Sequence, residues 1–119
     1  GARGSPPPDE FPRGLGQGHP VFVDLPAAGC LTCKFNEATV LESAAVRDAF
    51  QRHGIIKFKA DWTNADPAIT KTLKQFGRVG VPLYVLYPGE KTPMVFPELL
   101  TQGMILEKLE TVTPQVVAQ

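Results

Sequence analysis

The sequence predicts an α/β fold with a mixed central sheet of about four strands and helices on both faces. Three observations support this prediction. Apolar runs of strand length alternate with amphipathic stretches of helical length, in the order β-α-β-α-β-β-α. Glycine and proline separate these segments, as they do at turns and helix ends. The 119 residues suffice for one domain with a core of ordinary size.

The first half of the chain contains two predicted strands with helical residues between them. The first strand covers residues 20–25, with proline at its first position, where a missing N–H is tolerated. Helix is predicted over residues 30–39 and again over 43–53, after which Gly54 occupies the position that glycine favours. The second strand covers residues 55–60, where apolar side chains return.

The second half begins with a helix and continues with a hairpin. Asp66 and Pro67 begin this helix as its N-cap and first helical residue. Strands over residues 82–87 and 92–96 are joined by a turn, and Thr101 caps a last helix. The β-α-β-α start predicts parallel pairing through right-handed crossovers, and the hairpin adds an antiparallel edge to the sheet.

The two ends of the chain are predicted to lie outside the domain, which covers residues 19–113. Residues 1–18 contain three consecutive prolines and a glycine-rich stretch, so they are expected to form a flexible tail or linker. Residues 114–119 are predicted as a short C-terminal tail.

The composition excludes several classes of function. Twelve basic residues balance twelve acidic ones, so no net field attracts nucleic acid or an anionic membrane. No apolar run approaches the roughly 20 residues that cross a bilayer. The N-terminus also lacks a secretory signal pattern. The chain is therefore expected to be either cytosolic or a fragment of a larger protein.

The sequence holds only two cysteines, Cys30 and Cys33, at the junction of the first strand and the following helix. Two thiols at this spacing can close on each other, and a helix N-terminus favours a thiolate. A disulfide across so small a loop removes little chain entropy, roughly 2 kcal/mol, and is therefore a poor staple. The pair is better explained as a reversible redox couple or as half of a metal site.

Several segments together carry a resemblance to a known family. They are residues 21–25, the cysteine pair with Lys34, Asn36 with Glu37, residues 59–63 (Lys-Ala-Asp-Trp-Thr), Asp66 with Pro67, and residues 76–84 (Phe-Gly-Arg-Val-Gly-Val-Pro-Leu-Tyr). Across about residues 18–112 the chain resembles the thioredoxin superfamily. Within it, the chain is similar to the C-terminal, periplasm-facing thioredoxin-like domains of the DsbD and ScsB (suppressor of copper sensitivity) family of thiol:disulfide interchange proteins.

The resemblance implies a thioredoxin-like fold and protein-disulfide reductase activity, with the Cys30–Cys33 disulfide as the redox group and no further cofactor. Cys30, at the helix start, is expected to be the nucleophile, and the better shielded Cys33 is expected to resolve the mixed disulfide. Pro82 matches a cis-proline that faces the cysteine pair, and Val81 matches the residue whose backbone pairs with the substrate. A proline at a strand start would otherwise need no such role.

The resemblance also implies partners and a compartment. Electrons would come from a membrane-embedded domain of the same protein and pass to periplasmic thioredoxin-like or isomerase proteins. The chain would then be a soluble periplasmic domain of an inner-membrane protein, monomeric when isolated, with no nucleic-acid partner and no metal site.

A metal-binding module remains an alternative from a different class. In it, the thiolates of Cys30 and Cys33 would hold Cu(I) or Zn, since soft ligands suit both metals. A closed zinc site needs four ligands, whereas the chain offers no second cysteine pair and no histidines at ligand spacing. Linear two-thiolate Cu(I) is the form that this alternative would take.

Two carboxylates flank the cysteine pair. Asp24 lies on an otherwise apolar strand, so burial is expected to raise its pKa and its charge to oppose a Cys30 thiolate. The resemblance places both Asp24 and Glu37 at acidic positions that tune the cysteines, although Glu37 could equally be an ordinary solvated helix residue. Lys57 and Lys59 alternate with apolar residues, which predicts a solvated strand face.

Two residues depart from the family pattern. Gly29 stands where tryptophan usually precedes the first cysteine, and Pro26 stands where an aromatic residue or threonine is common. Losing both would remove apolar contact surface near the cysteines and leave the loop of residues 26–29 more mobile.

Overall fold

The computed structural model describes residues 19–89 and 92–112, so the predicted tails at 1–18 and 114–119 lie outside the described residues. Within the described part, the elements follow the predicted order. They are β1 (Val21–Leu25), α1 (Leu31–Asn36), α2 (Ala44–Arg52), β2 (Ile56–Lys59), α3 (Pro67–Gln75), β3 (Leu83–Tyr87), β4 (Met94–Val95) and α4 (Gln102–Leu109).

The described strands form one mixed sheet, as predicted, and the structure gives their order as β2-β1-β3-β4. Strands β1 and β2 run parallel, with Asp24 opposite Lys59. Strands β3 and β4 form the antiparallel edge. Helices cover both faces, which confirms the predicted α/β fold with thioredoxin-like architecture.

Antiparallel pairing begins one strand earlier than the crossover argument predicted. Strand β3 also runs antiparallel to β1, with Leu25 opposite Leu83. In an antiparallel pair, the last residue of one strand lies beside the first residue of the other. The chain therefore leaves β1 and enters β3 at the same end of the sheet. This topology places residues 26–30 and the residues before Leu83 next to each other.

The sheet separates two apolar cores because side chains alternate between its faces. On one face, Phe22 packs against Phe50 and Phe96, with ring centroids 5.2 and 5.7 Å apart, under α2 and α4. On the other face, Val21, Val23 and Leu25 pack against residues of α3. Asp24 points to the same face as Phe22, since the two residues are two apart on one strand.

The first helical region is longer than predicted and changes its winding. After α1, residues Glu37–Leu41 form a π-helical turn, in which the N–H of Glu42 donates to the carbonyl of Glu37 at 2.8 Å. The Ser43 hydroxyl then caps α2 by accepting from the N–H of Val46 at 3.3 Å. Helical structure therefore continues to Leu41, beyond the predicted end at residue 39.

Candidate active site

The two cysteines form a disulfide at the start of α1, with their Cα atoms 5.2 Å apart. Cys30 is the N-cap residue, and its Sγ accepts a hydrogen bond from the N–H of Cys33 at 3.1 Å. Cys30 is partly exposed, whereas Cys33 is 5% exposed. A partner can therefore reach Cys30 from solvent, and Cys33 lies behind it.

Four hydrogen bonds hold the backbone of the 26–29 loop, and one of them runs from the N–H of Cys30 to the carbonyl of Ala27 at 3.1 Å. The carbonyl of Pro26 accepts from the N–H of Trp62 at 2.7 Å, and the N–H of Ala28 donates to the Thr63 hydroxyl at 2.8 Å. The carbonyl of Ala28 accepts from the Lys34 ammonium. These polar contacts oppose the mobility that Gly29 and Pro26 predict for the loop, and the mobility itself stays a prediction.

Thr63 is itself held by a carboxylate. The Asp61 carboxylate accepts from the N–H of Thr63 at 2.7 Å and from its hydroxyl. These hydrogen bonds lower the pKa of Asp61 because they favour its charged form. Asp61, Thr63 and Ala28 therefore form a short chain of contacts, which we call the loop clamp.

Trp62 connects the 26–29 loop to two further parts of the domain. Its indole Nε1 donates to the hydroxyl of Thr70 on α3 at 2.8 Å. Its ring lies beside Gly80, where an added Cβ would be 3.7 Å from the ring carbon Cζ3. Trp62 therefore contacts both the 26–29 loop and the segment before β3.

The residues before β3 form the second loop at this end of the sheet. The peptide bond between Val81 and Pro82 is cis, as the resemblance implied. Among the described residues, the backbone N–H and C=O of Val81 have no hydrogen-bond partner. Val81 lies at the end of the sheet where β1 leads toward the cysteine pair, and backbone groups without a partner there can pair with an extended segment of another chain.

Exposed apolar side chains surround the same end of the sheet. Leu31 and Phe35 lie one turn apart on α1 and are 79% and 54% exposed. Val79, in the segment that leads to Pro82, is 99% exposed. The apolar contact surface that Gly29 and Pro26 do not provide is therefore supplied at other positions.

Asp24 is buried on β1, on the face of the sheet that carries Phe22. Its side chain is 1% exposed, and its Oδ2 has no hydrogen-bond partner among the described residues. Loss of hydration raises the pKa of Asp24 to about 6, an effect opposed by the positive charge of Lys57 and reinforced by Glu37. The predicted burial and raised pKa of Asp24 are both confirmed, whereas its influence on the cysteines stays a prediction.

Glu37 lies between two lysines. Its carboxylate is 3.5 Å from the Lys57 ammonium and 3.8 Å from the Lys59 ammonium. Lys57 and Lys59 are exposed, as predicted, and both also pair with Glu37, which begins the π-helical turn. Glu37 is therefore a half-buried, charge-paired residue, and its tuning role also stays a prediction.

A cavity of about 460 Å³ opens beside Cys33. Its lining includes Ala28, Glu37, Lys59 and Asp61, so it extends from the loop clamp to the charged residues of β2. Water in this cavity would have polar partners on several sides. Cys33 therefore borders a cavity that charged side chains reach from two elements.

Sequence analysis gave no role to two residues that the structure makes central. Asn36 is fully buried; its Nδ2 donates to the Tyr84 hydroxyl at 3.0 Å and to the Glu98 carbonyl at 2.7 Å, and its Oδ1 accepts from the N–H of Leu100 at 3.0 Å. Arg78 donates to two carbonyls, that of Pro82 at 3.2 Å and that of Phe96 at 3.3 Å. The sequence shows only that Asn36 lies three residues after Cys33, and it gives no signal for the role of Arg78.

Two further observations on the described residues concern metal-binding clusters and helices that could span a membrane. In residues 19–89 and 92–112, no group of three or more His, Cys, Asp and Glu could hold a metal ion. A metal would therefore depend on the two thiolates of Cys30 and Cys33. Over the same described ranges, every helix is too short or too polar to cross a membrane.

The fold and the disulfide define the class of protein. A family model described as thioredoxin-like matches residues 12–89, and the chain therefore belongs to the thioredoxin-like family. Together with the Cys30–Cys33 disulfide, this supports a disulfide oxidoreductase. No curated protein matches the chain.

Several solved structures have the same fold as this chain. The chain is similar to the DsbD C-terminal domain of Neisseria meningitidis, at 20% identity, with 89% of this chain and 90% of that chain covered. The TM-score is 0.65 for its reduced form and 0.67 for its oxidised form. A thioredoxin from Thermus thermophilus is similar at 17% identity and a TM-score of 0.66, with 86% and 82% of the two chains covered.

Proposed function

We propose that this chain is a thiol-disulfide oxidoreductase domain that passes electrons by dithiol–disulfide exchange to the disulfides of partner proteins. The observation that carries this proposal is the disulfide at the start of α1, with a solvent-accessible Cys30 and a buried Cys33. This division suits one sulfur to intermolecular attack and the other to intramolecular release.

The exchange proceeds in two steps from the reduced domain. The Cys30 thiolate attacks one sulfur of the partner disulfide; an intermolecular S–S bond forms, and the other partner sulfur leaves as a thiolate that takes up a proton. Cys33 then loses its proton and attacks the Sγ of Cys30. The Cys30–Cys33 disulfide forms, the partner leaves as a dithiol, and two electrons have moved to it.

The surface around Cys30 supports a protein as the substrate. Leu31, which follows Cys30 directly, and Val79, three residues before Pro82, both present exposed apolar side chains. The backbone of Val81 has no partner within the described part of the chain, so an extended partner segment can add to this edge while its disulfide meets Cys30.

The donor and the acceptors belong to the same proposal. The likeness to a DsbD C-terminal domain supports a role as a protein-disulfide reductase in the periplasm. In that role a membrane-embedded domain of the same protein supplies electrons, and periplasmic thioredoxin-like or isomerase proteins receive them. The chain would act there as a domain that remains outside the bilayer.

The test replaces each cysteine in turn. In Cys33→Ala, Cys30 can still attack but cannot be released, so a mixed disulfide with a partner should accumulate on non-reducing gels after exposure to a periplasmic extract. Cys30→Ala is the matched control and should trap nothing. Trapping by Cys30→Ala in place of Cys33→Ala would reverse the assignment, and trapping by neither would contradict the proposed exchange.

A further inference from the structure

Between β4 and α4, residues 96–100 form no regular helix or strand, and side chains from elsewhere hold their backbone. We call these residues the 96–100 segment. The Asn36 side chain holds it from the α1 side, at the Glu98 carbonyl and the Leu100 N–H. These bonds join positions up to 64 residues apart in the chain. The helix that carries the cysteines is thereby fixed to this segment.

Arg78 holds the same segment from the other side. Its two guanidinium nitrogens donate to the carbonyls of Phe96 and Pro82, and it lies 3.5 Å from the Glu98 carboxylate. A planar guanidinium can serve two acceptors at once, which an ammonium cannot match with the same geometry. The contacts run without a break from α1, through Asn36 and the 96–100 segment, to Arg78 and Pro82.

We propose that Arg78 and Asn36 are positioning residues, which hold Val81 and Pro82 at a fixed place relative to the cysteine helix and so preform the surface for a protein disulfide. This inference depends on the proposed function, since it concerns how that same site receives its substrate. The bound segment of the partner must contact the Val81 backbone and Cys30 at the same time. If the loop that contains Val81 and Pro82 were displaced, the segment could contact only one of the two. Holding the loop before binding removes that ordering cost from the association step.

The proposal separates two classes of substrate. A protein disulfide needs the loop at Val81 as well as Cys30, whereas a small disulfide such as 2-hydroxyethyl disulfide needs Cys30 alone. Loss of the Arg78 contacts should therefore weaken the reaction with protein disulfides and leave the reaction with the small disulfide unchanged. A residue that only stabilised the fold would not separate the two.

The experiment uses the whole 119-residue chain, reduced beforehand, in single-turnover reactions with insulin and with 2-hydroxyethyl disulfide. Arg78→Lys and Arg78→Met are compared with wild type and with Arg47→Met, a control at an exposed arginine of α2. Glu98→Gln removes only the ion pair and leaves both carbonyl contacts in place. Thermal unfolding of each variant establishes that it is folded.

Both Arg78 variants should raise the half-saturating insulin concentration about tenfold, which corresponds to the loss of one or two hydrogen bonds from a charged donor. Their limiting rate, and their rate with the small disulfide, should stay within about twofold of wild type, as should all rates of Arg47→Met. The half-saturating insulin concentration of Glu98→Gln should lie between those of wild type and the Arg78 variants, because an ion pair exposed on one side contributes little.

Two results would overturn the inference while leaving the proposed function intact. One is insulin kinetics unchanged by either Arg78 variant. The other is a parallel loss with both substrates, which would indicate damage to the cysteines themselves. If wild type reduces neither substrate, the proposed function is wrong, and the inference is wrong with it.

Discussion

At Asp24 the sheet holds a carboxylate almost out of contact with solvent, with one oxygen unpaired within the described residues. Neighbouring charges do not remove the cost of this burial: the lysines of β2 lower its pKa and Glu37 raises it, yet desolvation remains the largest effect. The ionised form is therefore unfavourable in the folded protein, and protonation near pH 6 relieves it.

The first prediction concerns stability against pH. Because the pKa of Asp24 is raised in the folded state, the native protein binds more protons than the unfolded chain between about pH 4 and pH 6. Stability should therefore fall as pH rises through this window, by about 3 kcal/mol for a shift of about two pH units, and change no further above it. Urea unfolding of wild type and Asp24→Asn at several pH values measures this contribution.

The informative quantity is the difference in unfolding free energy between Asp24→Asn and wild type. It should move in favour of the variant as pH rises from 4 to 7, because the amide has no charge to bury. Asp48→Asn, at an exposed aspartate of α2, is the matched control and should show no such trend. A difference that is constant with pH would show that Asp24 does not titrate in this range.

The second prediction concerns the reactivity of Cys30 in the reduced protein. A negative charge near a thiolate opposes its formation, so Asp24→Asn should speed iodoacetamide labelling of Cys30 near neutral pH, by about two- to fivefold. Glu37→Gln should have a smaller effect, because Lys57 and Lys59 already offset the charge of Glu37. Superimposable rate–pH curves for the three proteins would mean that neither carboxylate tunes the thiol.

Among the elements, the 26–29 loop shows how backbone contacts can compensate for an unusual sequence. It lacks the tryptophan that is usual before the first cysteine, yet the loop clamp and Lys34 hold both polar groups of Ala28. The residues that precede Cys30 are therefore held by polar contacts and not by a large apolar side chain. The clamp is made from residues 61–63, which the family resemblance already singled out.

The third prediction tests the loop clamp. Thr63→Val removes the acceptor for the Ala28 N–H and keeps a similar shape, so amide exchange at Ala28 should become about fivefold faster, as expected for the loss of one hydrogen bond. Thr39→Val is the control, because the Thr39 hydroxyl is exposed and bonds only within its own helical region. Exchange is read by NMR. An unchanged Ala28 amide would show that the clamp does not restrain the loop.

The elements that sequence analysis predicted well are those with local signals. Asp66 and Pro67 mark the start of α3 within two adjacent residues, and the Asp66 carboxylate indeed caps that helix at 2.8 Å. Burial of Asp24 followed from its apolar neighbours on one strand. In both cases the deciding interactions lie within a few residues, or follow from the pattern of one element.

The features that sequence analysis missed depend on contacts between distant segments. The pairing of Glu37 with β2 requires the π-helical turn, which no sequence pattern announced. The roles of Asn36 and Arg78 depend on where the 96–100 segment passes, and that is decided by tertiary packing. The direction of β3 likewise follows from how α3 returns the chain, since local propensity does not distinguish parallel from antiparallel pairing.

On the scale of the whole molecule, the antiparallel direction of β3 relative to β1 places the parts of the candidate site next to each other. It places the loop after β1, the Trp62 region after β2 and the loop before β3 at one edge of the sheet. The helices and the two cores support this edge from both faces. The central claim that follows is that Cys30 and Cys33 form a reversible redox couple that works as a reductant toward partner disulfides.

The measurement that tests this claim most directly is the redox equilibrium of the pair. The chain is equilibrated in glutathione and dithiothreitol buffers of graded ratio, and its free thiols are counted after acid quenching. We predict a reversible two-electron transition with a midpoint below about −200 mV, on the side of the thioredoxins near −270 mV. A midpoint near −120 mV, typical of a strong oxidant, or cysteines that never equilibrate with the buffer, would contradict the account.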